Sequence, residues 1–225
     1  PDAESRWGAF NILNLENQKK LLTLFEEAAS GSHNDPKWKQ IGDFYASGMD
    51  TAKIEEAGIS PLKQYFEKID AISSIDDVLK MTGEMASYGM NPFFHFYAGA
   101  DDKNSEMMVA SLYQGGLGLP DRDYYFPKDD RSKMILDEYK KHLGKMFVLF
   151  GQSKEEANKS SETILNIETK IAEASSTRLE LRDPVKNYNK MLIDDLQKKT
   201  SNFNWTLFFE ALNVEKPTDI VVGQP

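Results

Sequence analysis

Apolar residues recur at intervals of three and four along most of the chain, and this spacing is typical of amphipathic helices. The first periodic run extends from Glu4 to Ala28 and ends at a Ser-Gly-Ser turn. Further runs follow where Ser or Asp precedes an apolar stretch, because these residues cap helix N-termini. The pattern predicts that the next helices begin near Asp35–Pro36, Asp50–Thr51, Ser60–Pro61 and Ser74.

The helical pattern stops at residues 92–100, which are rich in aromatic side chains and have no helical period. Together with residues 108–113 they predict two strands joined by the turn Asp101–Asn104. Within the aromatic strand, His95 is expected to be a core histidine with one ring nitrogen hydrogen-bonded. The glycine-rich residues 115–120 that follow predict a tight turn with a positive φ angle.

Two long helices are predicted next. The first carries an apolar stripe over residues 135–150, and the second begins at Ser153, where Glu156 completes a capping box. The last predicted elements are short helices near residues 192–198 and 205–212 and a strand-like segment at 220–222. The fold class is therefore mainly α, a multi-helix domain with a small β-hairpin. Because the chain starts at Pro1 and stops just after an apolar strand, we expect the domain to be incomplete at both ends.

The composition argues against several function classes. A net charge of -9, from 36 acidic and 27 basic residues, repels a phosphate backbone, so no nucleic-acid partner is expected. The longest apolar run, Met146–Phe150, is far shorter than a membrane-spanning helix, so no span is expected in this chain. The chain has no cysteine, which rules out a disulfide framework and thiolate chemistry within it.

The histidines show no metal-binding spacing. A zinc site needs histidines that converge on one ion, as in H-E-x-x-H, whereas His33, His95 and His142 are far apart in the sequence. A site assembled from His95 and nearby acids is one alternative. The residues alone therefore indicate a helical domain without a self-contained active site.

Five stretches of sequence carry a stronger signal than any spacing. They are Ser5–Phe10 (SRWGAF), Tyr45–Leu62, Gly99–Ser105 (GADDKNS), Gln114–Tyr125 (QGGLGLPDRDYY) and Arg182–Met191 (RDPVKNYNKM). In this order they resemble segments of the neprilysin and endothelin-converting-enzyme family of zinc metalloendopeptidases, most specifically the family's LGLP-x-RDYY element. The resemblance covers nearly the whole chain.

This resemblance implies that residues 1–225 are part of the N-terminal, non-catalytic domain of such an enzyme, a helical lid that encloses short peptides. The zinc ion, its ligands and the general base are expected in the later half of the polypeptide. The chain alone is therefore expected to bind no catalytic zinc and to be inactive. Its expected partners are peptide substrates and the missing catalytic domain. The alternative is a stand-alone, non-catalytic helical module that binds peptides.

The resemblance also implies one direct substrate contact. The arginine of the family's SR-aromatic-G segment pairs with the C-terminal carboxylate of a bound peptide, and its match in this chain is Arg6. A planar guanidinium near a first helical turn suits a carboxylate. Where the family pattern has an aspartate that orients this arginine, this chain has Asn11, which is expected to hydrogen-bond Arg6 without compensating its charge.

The resemblance further implies a source and a cellular location. Gly48 and Phe126–Pro127 stand where animal members of the family have cysteines. The disulfide-free sequence implies a bacterial protein that is periplasmic or secreted, and a cytoplasmic location is the alternative. Four motif residues are expected to serve the architecture of the domain rather than its chemistry: Arg122, Asp123, Tyr188 and Asn189.

Overall fold

The computed structural model describes residues 7–225 and divides the chain into two compact units, residues 1–63 and residues 64–225. Arg6, the predicted substrate contact, lies outside the described residues. The two units are described separately below.

The first unit is helical. Its elements are α1 (Ala9–Ala29), α2 (Pro36–Met49), α3 (Thr51–Ala57) and a 3-10 turn at Ser60–Leu62. α1 packs against α2 at Gly42, where an added Cβ would overlap the backbone carbonyl of Ala28. The rings of Phe25 and Tyr45 stack with their centroids 5.5 Å apart. Among the described residues of this unit, only Ala28 and Gly42 are buried.

The second unit combines helices with one sheet. Its elements are α4 (Lys63–Asp70, which begins at the unit boundary), α5 (Ile75–Ser87), β1 (Phe94–Asp101), β2 (Asn104–Gln114), α6 (Asp130–Leu149), α7 (Lys154–Ala174), β3 (Asn189–Leu192), α8 (Ile193–Lys199), α9 (Trp205–Leu212) and β4 (Asp219–Val222). Short 3-10 turns lie at Arg122–Tyr125 and Glu180–Arg182.

The four strands form a mixed sheet in the order β1-β2-β4-β3. β1 and β2 are an antiparallel hairpin whose turn is Asp101–Asn104. β4 runs parallel to β2, with Ala110 opposite Ile220, and antiparallel to β3, with Met191 also opposite Ile220. The sheet therefore joins residues separated by more than a hundred positions in the sequence.

The core of this unit lies between one face of the sheet and the helices α8 and α9. Phe208, Phe209 and Ile220 are at most 1% exposed. The rings of Phe94 and Phe96, alternate residues of β1, approach Phe208 with centroid distances of 5.4 and 5.9 Å. Edge-to-face and tilted aromatic pairs at such distances add to the free energy gained by burying their apolar surface.

The helix starts agree with the sequence prediction. The side chain of Asp35 accepts a hydrogen bond from the backbone N–H of Lys37, and Ser74 caps α5 through Asp77. α7 begins with the predicted capping box, in which Ser153 and Glu156 bond reciprocally. The aspartate pairs 129–130 and 194–195 lie at the N-termini of α6 and α8, where the helix dipole favours negative charge.

The strand predictions were confirmed in part. The hairpin and the strand at 220–222 are present, but the hairpin belongs to a four-stranded sheet, and β3 was not predicted. The prediction of His95 as a core residue was wrong. His95 is exposed, because its neighbours Phe94 and Phe96 take the positions of β1 that face α9.

Candidate functional site

The start of α1 is the place that the sequence assigned to substrate binding. Gly8 is the N-cap of α1, and it provides no side chain to bond the first-turn N–H groups. Asn11, the third residue of the helix, is exposed. The expected hydrogen bond between Asn11 and Arg6 falls partly outside the described residues, so it stays a prediction.

The N-cap and the first turn of α1 carry no acidic side chain. α2 and α3 also lack a first-turn acid, but each is capped by an aspartate, Asp35 and Asp50, whereas the N-cap of α1 is a glycine. The positive end of the α1 dipole is therefore not offset by a carboxylate of its own first turn. Such a helix start favours an approaching anion, and this would suit the carboxylate at a peptide's C-terminus.

Two of the motif segments meet in the second unit, at the turn of the hairpin. The carboxylate of Asp101, which is only 3% exposed, accepts hydrogen bonds from the hydroxyl of Tyr188 and the ammonium group of Lys190, both at 2.8 Å. Lys190 also pairs with Asp219 at 3.1 Å, and the ammonium group of Lys103 lies 4.4 Å from the Tyr188 ring centroid. This cluster joins the Gly99–Ser105 segment to the Arg182–Met191 segment.

The cluster has a clear effect on the acidity of Asp101. The ammonium group of Lys190, followed by the backbone N–H of Lys103 and the hydroxyl of Tyr188, lowers the pKa of Asp101 to about 2. Hydrogen bonds from Asp101 and then Asp219 raise the pKa of Lys190. Both groups are therefore charged over the whole physiological pH range.

One carboxylate bonds both the Gln114–Tyr125 segment and the neighbouring helix α6. Glu168 of α7 accepts hydrogen bonds from the hydroxyls of Tyr125, at 2.8 Å, and Tyr139, at 2.9 Å. The backbone N–H of Leu119 in turn donates to the Tyr125 hydroxyl at 3.1 Å. Burial is the largest cause that raises the pKa of both tyrosines, and the Glu168 carboxylate adds to it. Both tyrosines therefore stay protonated donors.

The glycines of this segment answer two different needs. Gly116 has a φ angle of 78° and lies against the backbone of residues 92 and 93, which confirms the predicted tight turn. Gly118 has no such angle, but an added Cβ would overlap the hydroxyl of Tyr139. The first glycine is needed for backbone conformation and the second for the close approach of a side chain.

The remaining motif residues also bond within the fold. The Arg122 side chain donates to the carbonyl of Ala172 at the end of α7, at 3.0 Å. The side-chain amide of Asn189 donates to the carbonyls of Lys186 and Val222. Together with Tyr188, these contacts agree with the expected architectural role. Asp123, in contrast, is exposed, and its backbone N–H bonds the Asp121 side chain.

Three residues that hold these segments together were not identified from the sequence. Glu168 has no neighbour in the sequence that marks it as a shared acceptor. Gln114 and Gln224 were not assigned a role either, although Gln224 accepts from the backbone N–H of Gln114 at 2.8 Å. The Gln114 side chain also exchanges two hydrogen bonds with the backbone of Ser176. Each of these contacts spans dozens of residues, so no local pattern indicates it.

Metal ligands are not grouped in the part of the chain that the structure describes. His33 precedes α2 and stacks on Trp38 of that helix, His95 is on β1 and His142 is on α6. Over residues 7–225 there is no cluster of three or more His, Cys, Asp or Glu side chains that could hold a metal ion. Among the same residues, no helix is both long enough and apolar enough to cross a membrane.

Comparison with known proteins identifies relatives over the whole chain. The sequence profile for peptidase family M13 matches residues 1–225. Endothelin-converting enzyme 1 of Rattus norvegicus is 32% identical over 235 residues, an alignment that includes 100% of this chain and 30% of the relative. The sequence resemblance to this group of enzymes is therefore confirmed.

Solved structures share the fold as well. The crystal structure of Mycobacterium tuberculosis zinc metalloprotease Zmp1 in complex with an inhibitor has a TM-score of 0.89 and 28% identity, covering 100% of this chain and 35% of the Zmp1 chain. The cryo-EM structure of Zmp1 in an open state has a TM-score of 0.86 and 28% identity over 99% of this chain and 36% of Zmp1. The chain thus spans about a third of the length of the relatives it matches.

Proposed function

Because this chain belongs to peptidase family M13, we propose that the polypeptide containing it is a zinc-dependent metalloendopeptidase that hydrolyses short peptides. In this proposal residues 1–225 are part of the N-terminal, non-catalytic domain, and the zinc ligands and general base lie in the remainder of the polypeptide. The observation that carries the proposal is the match over all 225 residues to relatives of which the chain spans about a third.

We assign no zinc ligand to this chain. The residues described do not fit a metal site, since they offer no cluster of His, Cys, Asp or Glu side chains. One solved relative is a zinc metalloprotease, and this supports zinc as the cofactor of the intact polypeptide.

The role proposed for this part is a lid that encloses the substrate and limits its size. The relative Zmp1 has been solved both with an inhibitor and in an open state, which supports a domain that opens to admit substrate. The hydrogen bonds that the carboxylates of Asp101 and Glu168 accept, called the Asp101 and Glu168 clamps below, join distant segments of the domain. They support the same role, because a lid must keep its own shape while it moves. Peptide substrates and the catalytic part of the same polypeptide are its proposed partners.

We further propose that the substrate-binding residues are Arg6, which pairs with the C-terminal carboxylate of the bound peptide, and Asn11, which hydrogen-bonds Arg6. The proposal is supported by the first turn of α1, which lacks a carboxylate of its own and has an exposed amide at Asn11. A guanidinium bonded to a neutral amide keeps its full positive charge for the peptide carboxylate.

The proposed location is extracytoplasmic in a bacterium. The absence of cysteine from the chain and the bacterial source of Zmp1 are consistent with this location. Fractionation of the source cells with an antibody to this chain tests it, since recovery with cytoplasmic markers alone would contradict the proposal.

The catalytic proposal is tested by comparing the full polypeptide with residues 1–225. The full polypeptide should bind one zinc ion and cleave a short peptide, and a chelator should abolish both. The isolated chain should bind no stoichiometric zinc and cleave nothing. The same cleavage sequence placed within a stably folded protein should resist the full enzyme. Stoichiometric zinc on the isolated chain, or rapid cleavage of the folded protein, would refute the assignment.

A further inference from the structure

A small polar cavity of about 240 Å³ lies on the side of the sheet away from α8 and α9. Side chains alternate between the two faces of a strand, so Tyr97, Ser111 and Val221 point away from the face that packs on Phe208. Residues of the segment from Leu181 to Tyr188 also line the cavity. None of the contacts that form the candidate substrate-binding helix start or the Glu168 clamp involves this cavity.

The floor of the cavity contains a serine hydroxyl group that makes no hydrogen bond to the described residues. Ser111 is only 7% exposed, and it lies between Tyr97 on β1 and Val221 on β4. Within residues 7–225 its hydroxyl makes no hydrogen bond to protein. No fully buried polar side-chain atom lacks a partner among the described residues, so this hydroxyl is open to the cavity, where it can bond a polar molecule.

Two side chains of opposite charge line the same cavity, and both are free to bind a ligand. Arg182 and Asp102 are both exposed. Neither side chain has an ion pair or hydrogen bond among the described residues, and the two are not paired with each other. Their neighbours differ in this respect. The Tyr188 hydroxyl bonds Asp101, and the Asn187 side chain bonds the carbonyls of Glu180 and Asp183.

The other walls are apolar or aromatic and include Val109, Tyr113 and Pro184. Burial raises the pKa of Tyr113, so this ring stays neutral. A volume of 240 Å³ equals about eight water molecules in the liquid, which is close to the size of one amino acid. The cavity therefore combines one cation, one anion, a hydroxyl open to its interior and an apolar wall, at the scale of a single residue.

We propose that this cavity binds a free amino acid with an apolar side chain. In the proposal Arg182 pairs with the α-carboxylate, Asp102 pairs with the α-ammonium group, and the Ser111 hydroxyl supplies a further hydrogen bond. A guanidinium matches a carboxylate in a bidentate geometry, and charge-assisted bonds are the strongest available here. The inference is independent of the catalytic proposal, because it concerns binding and not hydrolysis.

The test is calorimetric titration of the full polypeptide with L-leucine, N-acetyl-L-leucine and L-leucinamide. L-leucine should bind saturably. The acetylated and amidated compounds, which each lack one charge, should bind about 10-fold to 100-fold more weakly, as expected for the loss of one charged hydrogen bond. These three titrations use the unmodified protein, so they do not depend on the folding of any variant.

A pair of matched arginine variants then tests whether Arg182 binds the ligand. Arg182→Gln should weaken L-leucine binding about 10-fold to 100-fold. Arg178→Gln, which alters an exposed arginine outside the cavity that pairs with Asp121, should leave it unchanged. Ser111→Ala should weaken binding by a smaller factor. The proposal is overturned if millimolar L-leucine does not bind, if all three compounds bind equally, or if both arginine variants have the same effect.

Discussion

The two units of this chain differ in how their large apolar side chains are placed. In residues 64–225 the phenylalanines of α9 are buried against the sheet, and Phe208 is 0% exposed. In residues 7–63 the phenylalanines of α1 and α2 are mostly exposed, with Phe10 at 89% and Phe44 at 81%. The same type of residue therefore stabilises one unit and contributes little to the other.

This difference shows which unit contains its own source of stability. The second unit has an aromatic core, and the Asp101 and Glu168 clamps join segments that are distant in the sequence. The described part of the first unit has the close approach at Gly42, a few ring stacks such as Phe25 on Tyr45, and a helix α1 with many exposed apolar side chains. The apolar side chains of such a helix are usually buried in a complete protein.

The largest effect is expected when a buried phenylalanine is compared with an exposed one. Phe208→Ala removes a fully buried ring from the aromatic core, and it should lower the free energy of unfolding by about 3–5 kcal/mol. Phe44→Ala should change it by less than about 0.5 kcal/mol, because that ring is already in water. Urea unfolding of both variants measures the two values. Equal losses of unfolding free energy in the two variants would contradict the difference in burial between the two units.

Two glycines of α2 provide a matched test of packing in the first unit. Gly42→Ala would press a methyl group into the backbone at Ala28, and it should destabilise the contact between α1 and α2 by about 1–3 kcal/mol. Gly48→Ala has open space around it and should stabilise the helix, by at most about 1 kcal/mol. Amide hydrogen exchange in α1 and α2 measures both changes, and it should become faster only in Gly42→Ala. If exchange in Gly42→Ala is no faster than in the native chain, the contact between α1 and α2 is weak.

A third glycine tests the clamp at Glu168 in the second unit. Gly118→Ala would displace the Tyr139 hydroxyl from Glu168, at a cost of about 1–2 kcal/mol. In a Tyr139→Phe background this hydroxyl is already gone, so the added cost of the alanine should be smaller. A double-mutant cycle measures the coupling. Additive effects would mean that the two residues do not interact.

A further effect is expected at Asp101, and this one should depend on pH. The folded-state pKa of about 2 lies below the ordinary value of 3.8, so the ionised form is stabilised by folding. This contribution is fully present above about pH 4, and it is lost as the pH falls towards 2. The stability difference between the native chain and Asp101→Asn should shrink over that range. Lys190→Met should weaken the same dependence, and a difference that stays constant from pH 6 to about 2 would contradict the account.

The local parts of this fold could be predicted and the long-range parts could not. Helix starts such as Ser74 and Ser153 depend on residues within one turn, so the sequence indicates them directly. β3 was missed because it has only four residues and pairs with β4, about thirty residues later in the chain. His95 was misplaced because its exposure depends on which face of β1 packs against α9.

The candidate substrate-binding site could be predicted only from the resemblance to a known enzyme family. No spacing in the sequence marks Arg6 or Asn11, and the structure adds the exposed position of Asn11 and the first turn of α1 without a carboxylate. The cavity at Ser111 was not predicted, because it forms where three strands and a loop meet. The residues that line it become neighbours only when the sheet is complete.

The most direct test of the proposed role is the selectivity of an Arg6→Ala variant of the full polypeptide. Its kcat/KM should fall by a factor of about 10 to 100 for a peptide with a free C-terminal carboxylate, which is the loss expected for one charged hydrogen bond. The same peptide with an amidated C-terminus should be cleaved nearly as well as by the unmodified enzyme. Equal losses for both peptides would contradict a contact between Arg6 and the substrate carboxylate.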